Sequence, residues 1–406
     1  MSVADRARPE DPVAILLAGG RGSRLYELTD SLAKPAVAFG PRNRIVDFTL
    51  ENLRRSGLGQ VLVATQFGAG PLEDYLNRAW RPVFGTGMRL RRASGTTMAE
   101  RSYTGTADAV WKNAAEIDAL APREVVVLSG DHVYAMDYRP MIAAHRLAGA
   151  AVTIAADVVD RSEARSFGCI EAQAGGQVTG FVEKPARPPA IPEDPGRALV
   201  SMGIYVFDWP WLRERLRRDA LDPASTHDFG HDILPLAVAE GAAQVVRGEA
   251  PGGGAFYWRD VGTLDAFRTT WLAFDADPPC PMPQVRPSPA ARQLQSRLQT
   301  PVALDDAGSV VSLGPGPEPQ AEVESSVIMP GARLAEGCRL RGVILAPGVR
   351  LPEGLVVGHD PEEDALWFRV TPGGTTLVTA QMLARRAMMQ PGPVLLPGRP
   401  TLARSR

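Results

Sequence analysis

Three cysteines and three lysines are all that 406 residues contain; there is no apolar run long enough to span a bilayer and no excess of charge of either sign. Each scarcity excludes something. Cys169, Cys280 and Cys338 are odd in number, far apart and without C-x-x-C spacing, which argues against a disulfide framework or structural zinc and fits packed thiols in a reducing compartment. Acidic residues number 46 and basic residues 44, so no global field draws the chain to nucleic acid or to an anionic membrane. Residues 1–12 carry Asp5, Arg6, Arg8, Glu10 and Asp11 without the apolar stretch of a signal peptide. The expectation is a soluble cytoplasmic protein with no nucleic-acid and no membrane partner. With 45% apolar residues it can bury a large core, and its length suits two or three domains of roughly 150 residues.

The lysine shortage directs attention. Lys34, Lys112 and Lys184 stand against 41 arginines. A lysine is a compact point charge and an arginine a planar fork, so a site that needs the first does not accept the second. Lys34 and Lys184 fall in motifs described below, whereas Lys112 reads as a solvated surface residue.

From Val13 to about Ala273, short β-rich runs alternate with helical patterns. The runs include Val13 to Leu17, Val61 to Thr65, Val125 to Leu128, Val152 to Ala156 and Ile204 to Phe207, with helical segments such as Asp47 to Ser56 and Thr106 to Leu120 between them. That alternation predicts an α/β fold with a mostly parallel central sheet, which binds ligands beyond the carboxyl ends of its strands. Residues 275–320 are rich in proline and read as a linker. Beyond them Ile328, Leu334 and Leu340 fall six apart and, after a step of five, so do Leu345, Leu351 and Val357, with Gly331, Gly337, Gly348 and Gly354 in phase. A six-residue period predicts a short parallel β-helix within 321–384, followed by a basic tail at 385–406 without fixed structure.

The first strand runs into Leu17-Ala18-Gly19-Gly20-Arg21-Gly22-Ser23-Arg24-Leu25, whose bare backbone amides can approach phosphate oxygens. Leu25 stands where a dinucleotide fingerprint has its third glycine, and no P-loop is present, so the glycines alone fit a plain strand-to-helix turn equally well. Arg24 and the following Lys34-Pro35-Ala36 add two cations within short reach of the same loop. The composite G-G-x-G-x-R-L followed by K-P resembles the sugar-1-phosphate nucleotidylyltransferases, and most closely the bacterial glucose-1-phosphate adenylyltransferases. The likeness extends over nearly all of 13–274 and resumes, in patches, in the C-terminal part.

The resemblance implies a Rossmann-like nucleotidyltransferase domain at 13–274 and a left-handed β-helix after it. It implies that Leu17, Ala18, Gly19, Gly20 and Gly22 wrap the nucleoside triphosphate, with Arg24 and Lys34 neutralising phosphates. Arg44 to Asn52 and Thr65-Gln66 look like the wall of the nucleotide site, with Gln66 reading the base. Tyr103-Thr104-Gly105-Thr106-Ala107-Asp108 matches a further family segment, which implies Gly105 and Thr106 at the nucleotide, and Thr106 is by its type a candidate N-cap. Asp131, in Ser129-Gly130-Asp131-His132, and Asp260, in Trp258-Arg259-Asp260-Val261-Gly262-Thr263, are implied as the two ligands of a catalytic Mg2+. Few carboxylates plus phosphate oxygens is the usual way magnesium is held. For the sugar phosphate the same likeness assigns Tyr103, Gly168, Glu183, Lys184, Ser201 and Asp228, Lys184 contacting the phosphate. His227 and His231 are four apart but lack a third ligand motif, and His132 is expected to orient its loop rather than act as a base.

The implied reaction joins ATP and glucose 1-phosphate into ADP-glucose and pyrophosphate, for glycogen or a related α-glucan, in a homotetramer. Two alternatives are the same chemistry with UTP or dTTP, and a non-catalytic regulatory subunit. Asp30-Ser31-Leu32-Ala33 lacks the cations that regulated relatives carry before K-P, and Ala38 stands where they often have histidine, which predicts weak or altered allostery.

Overall fold

The computed structural model describes residues 11–93, 102–248, 256–285, 302–304, 310–312 and 321–389. The start of the N-terminal tail, most of the proline-rich linker and residues 390–406 of the basic tail lie outside these. The chain divides into two units, Met1–Gln299 and Thr300–Arg406.

In the first unit, strands β1 (Val13–Leu17), β2 (Val61–Thr65), β3 (Met88–Arg92), β4 (Glu124–Ser129), β5 (His132–Tyr134), β6 (Val152–Asp160), β7 (Gly168–Ala172), β8 (Val178–Glu183), β9 (Arg197–Asp208), β10 (Ala243–Arg247) and β11 (Trp258–Asp260) carry the architecture. The main sheet runs β8-β7-β9-β4-β1-β2-β3, with β6 pairing β9 and β10 pairing β6. Strands β4, β1, β2 and β3 form a parallel core, and β9 flanks it antiparallel to β4. Both faces are covered, which is why β1 and β4 read as unbroken apolar runs. Along β1, Ala14 and Leu16 join one buried cluster while Val13 and Ile15 join the other.

Chain order in the core is 4-1-2-3, so the direction of winding reverses between β1 and β4. Such a switch point opens a crevice at the strands' carboxyl ends. The glycine-rich turn leaves β1 there, and Ser129-Gly130-Asp131 leaves β4. The helix Val46–Arg55 is buried on nearly every side, including its polar Asp47, Thr49, Glu51 and Asn52. A helix buried so completely must find partners for those groups inside the protein. Separately, β5 pairs with β11 in antiparallel register, His132 opposite Asp260.

The second unit contains the β-helix. Glu322–Glu324, Arg339–Arg341 and Val356–Val357 stack in parallel, as do Val327–Ile328, Val343–Leu345 and Thr376–Val378. Partner residues such as Glu322 and Arg339 are 17 apart, two six-residue steps and one of five. Ile328, Leu340, Leu345, Leu351 and Val357 are buried as that period requires, and Leu334 is half-buried. Gly331 and Gly348 turn the corners at φ 80° and 71°, a left-handed conformation that favours glycine. One expectation fails here: the start of the tail, from residue 385, does not lack fixed structure. The helix Ala380–Met389 continues through it, and the Arg385 guanidinium donates to the Trp367 carbonyl at 2.9 Å.

Candidate active site

A cavity of about 480 Å³ opens at the carboxyl ends of β1, β2 and β4. Of the residues expected to contact nucleotide or sugar phosphate, Leu17, Gly19, Gly20, Gln66, Tyr103, Gly105, Thr106, Asp131, Glu183, Lys184 and Asp228 line it. Lys34, Asp260 and Arg24 adjoin it through ion pairs with one another and with Asp131. Ala18 is fully buried beneath the loop.

The glycine loop is tied to the lysine that follows it. The Lys34 amide donates to the Gly20 carbonyl at 3.2 Å, and Gly22 sits at φ 64° with its α-carbon against the Lys34 stem, where a β-carbon would come within 2.7 Å. The Lys34 ammonium is thereby placed between two carboxylates, 3.0 Å from Asp131 Oδ2 and 2.6 Å from Asp260 Oδ1. Only 5% of its side chain is exposed. Burial works to lower its pKa, but Asp131 and Asp260 outweigh burial and hold the group charged beyond the ordinary lysine range. Burial likewise works to raise the Asp131 carboxyl, and Lys34, His132 and the Ser129 hydroxyl overcome it, leaving Asp131 well below the usual carboxylate range. Arg24 Nη2 lies 3.6 Å from Asp260 Oδ2. Asp131, His132 and Asp260 each bring one ligand atom within 4.8 Å of the others.

His132 packs edge-on against Trp258, its Nε2 3.5 Å from Asp131 Oδ1, while its Nδ1 is buried without a hydrogen-bond partner among the described residues. His227 and His231 do not converge. Their Nδ1 atoms face Asp219 and Asp228 respectively.

At the other end of the cavity Lys184 stands at φ 44°, unusual for a lysine, directly after Glu183, whose carboxylate takes its ammonium. Gly168 and Gly230 make room for that carboxylate: a β-carbon on either would lie 2.8 or 2.6 Å from Glu183 Oε2. Gly168 thus acts beneath Glu183 and is not a lining residue. Ser201 is also behind the surface. The pairing of β9 with β6 shifts register between Ser201 and Tyr205, Gly203 turning at φ 67°, so that Gly203 and Tyr205 line the cavity and the Ser201 hydroxyl bonds the Tyr205 hydroxyl at 3.1 Å.

Three expectations need correction. Thr106 is not the N-cap of its helix, which begins after Gly105. Its hydroxyl donates to Asp228 Oδ2 and accepts from the Phe229 amide, both at 2.9 Å, bracing two lining segments together. Residues 44–52 do not line the cavity. Asp47 is sealed behind it, accepting from the Tyr75 hydroxyl, the Trp80 indole and the Arg44 amide. Lys112, read as a solvated surface lysine, pairs with Asp108 at 2.8 Å and donates to the Ser102 carbonyl at 2.7 Å. Asp108 in turn accepts from the amide and hydroxyl of Thr104, so this pair shapes the loop that presents Tyr103 and Gly105. Gln66 is fixed from the same loop, its Oε1 accepting from the Tyr103 amide at 2.9 Å. Among lining residues, Pro35, Ser129 and Gly203 were legible only as motif members or neighbours; Ala64 and Ala109 are small and apolar and carried no chemical signal.

Residues 13–275 match the model of the nucleotidyl transferase family, and residues 307–378 match a GlmU-like C-terminal hexapeptide family. A glucose-1-phosphate adenylyltransferase of Jannaschia sp. is 40% identical, over 93% of this chain and 98% of that protein. One from Novosphingobium aromaticivorans is 42% identical over 93% and 97%, and one from Cereibacter sphaeroides 41% over 92% and 96%.

Proposed function

This chain belongs to the nucleotidyl transferase family, among its glucose-1-phosphate adenylyltransferases, and from that premise we propose that it transfers the adenylyl group of ATP to α-D-glucose 1-phosphate. A phosphate oxygen of the sugar phosphate attacks the α-phosphorus, the bond from that phosphorus to the bridging oxygen breaks, and ADP-glucose and pyrophosphate result. The observation that supports it best is Lys34 held between Asp131 and Asp260 beside a cleft lined by the glycine loop and by Glu183-Lys184.

The nucleophile is already an anion at neutral pH, so no general base is needed, and catalysis rests on positioning and charge neutralisation. Lys34 and Arg24 act on the triphosphate, Lys184 on the sugar phosphate, and Gly19 and Gly20 allow close backbone approach. Gln66 meets the base with its amide nitrogen, because Tyr103 holds its oxygen. Asp131 and Asp260 are a chemically suitable pair for Mg2+: hard oxygen donors, one in the turn before β5 and one at the end of its partner β11, each oxygen with two lone pairs and so able to ligate while accepting from Lys34. A cation bound there supplies charge for the developing pyrophosphate.

A homotetramer and a cytoplasmic location complete the reading. No helix of the described residues is long and apolar enough to cross a membrane. Allostery is expected to be weak, so fructose 1,6-bisphosphate or fructose 6-phosphate should leave the rate nearly unchanged. The deciding experiment is pyrophosphate release with glucose 1-phosphate and Mg2+ across ATP, UTP, dTTP, GTP and CTP. Release with ATP alone is the expected result; release with another nucleotide keeps the mechanism and changes the pathway, and silence with all five points to a regulatory subunit.

A further inference from the structure

We infer that Thr49 and Asn52 are positioning residues for Asp131, acting through a ladder of hydrogen bonds from one face of the helix Val46–Arg55 to the main chain of residues 129–138. The inference rests on the reading of Asp131 proposed above.

Thr49, Asn52 and Ser56 are spaced three and four apart, which puts them on one side of the helix and of its first residue beyond. All three are buried, at 0%, 2% and 6% exposure. None spends its side chain on its own helix in the bonds that matter here. The Thr49 hydroxyl donates to the Ser129 carbonyl at 3.1 Å. The Asn52 amide works in both directions, its Nδ2 donating to the Tyr134 carbonyl at 3.3 Å and its Oδ1 accepting from the Met136 amide at 3.2 Å. The Ser56 hydroxyl accepts from the Tyr138 amide at 2.9 Å. These contacts bracket Asp131 along the chain, with Ser129 before it and Tyr134 after it.

The bracketed segment needs outside support. β4 ends at Ser129 and β5 is three residues long, paired only with the equally short β11. That pairing places His132 opposite Asp260 and thereby sets how far Asp131 stands from Asp260. Lys34 reaches both carboxylates at hydrogen-bond distance, so the arrangement tolerates little movement of either. Groups that hold a metal ligand in place typically change metal affinity or activity by about 10–100-fold when removed, which sets the scale if Asp131 is such a ligand. Residues 44–52 therefore serve the site from behind rather than as its wall.

Thr49→Val replaces a hydroxyl with a methyl at nearly constant volume, and Thr49→Ser restores the hydroxyl. Asn52→Ala removes the middle rung. In purified full-length protein we expect Thr49→Val to lower kcat about tenfold with the KM for ATP within about twofold of the parent, and amide exchange across 129–138 to quicken. Thr49→Ser should return both readouts toward the parent, and Asn52→Ala should reproduce the loss where it folds. Unchanged exchange across 129–138 in Thr49→Val, or quickened exchange with unchanged kcat, overturns the inference. Failure of the parent protein to release pyrophosphate would instead overturn the adenylyltransferase reading, and the exchange measurement would still decide whether the ladder holds the segment.

Discussion

Lys34→Met takes the positive charge from between Asp131 and Asp260 and leaves most of the side-chain stem. Removing one partner of a buried ion pair costs about 3–5 kcal/mol, because the remaining charge is left uncompensated. Here the Asp131 side chain keeps 28% of its surface and Asp260 13%, so water recovers part of that loss. About 2–3 kcal/mol is then the expected destabilisation, or roughly 3–5 °C in Tm for a unit spanning Met1–Gln299. The dependence on pH has a definite sign. In the parent, Lys34, His132 and Ser129 hold Asp131 below the usual range against the effect of burial, so its contribution is present above the ordinary aspartate pKa and is lost only as pH falls through the lower folded value. In the variant two neighbouring carboxylates repel, and taking up a proton relieves them. The Tm gap between the two proteins should therefore be largest near pH 7.5 and narrow toward pH 5, as followed by scanning fluorimetry without added metal. A variant melting at or above the parent at pH 7.5, or a gap that widens on acidification, refutes the account of Lys34 as the charge that holds this pair together.

Gly105→Ala should destabilise the first unit by about 3 kcal/mol or more, since a β-carbon there would lie 2.1 Å from the His227 carbonyl oxygen; urea unfolding measures it. Gly20→Ala meets nothing within 4 Å, so it should leave the urea midpoint unmoved while weakening ATP binding in calorimetry, where the backbone must approach phosphate. Lys112→Met should raise the KM for ATP about fivefold or more, roughly 1 kcal/mol, with kcat within about twofold, because the lysine shapes the loop that carries Tyr103 and Gly105 and touches no reacting atom. Burial pushes the Asp47 carboxyl up to about 6 despite its bonds from Tyr75, Arg44 and Trp80, so the fold should lose stability as pH rises from about 4 through 6; Asp47→Asn should flatten that part of the pH profile in denaturant titrations.

Much of the site was legible because its signals are local. A glycine run leaving an apolar strand announces a phosphate-sized approach, and a lysine retained where arginine has taken almost every other positive position marks a place for a compact charge. The six-residue period was legible for the same reason: each coil repeats the same burial demand on neighbouring residues. Lys112 was misread, and the depth at which Ser201 sits was not legible, because both depend on contacts across space. Ser201 belongs to a motif that lines the cavity, but a register shift puts Gly203 and Tyr205 at the surface and the serine behind them. Lys112 has no motif, and its role exists only because helix and loop bring Asp108 and Ser102 within its reach.

By itself, then, the sequence determined the alternation of strand and helix, the glycine-rich loop after the first strand, the coil repeat and the residue types available for chemistry, since each depends on periodicity or on chain neighbours. Tertiary structure alone decided the constellation. Lys34 lies 97 residues from Asp131 and 226 from Asp260, and nothing in either spacing brings them together. The pairing of β5 with β11 brings the two aspartates together, beside a buried helix whose polar face bonds the intervening main chain, and the bond from the Lys34 amide to the Gly20 carbonyl brings in the lysine.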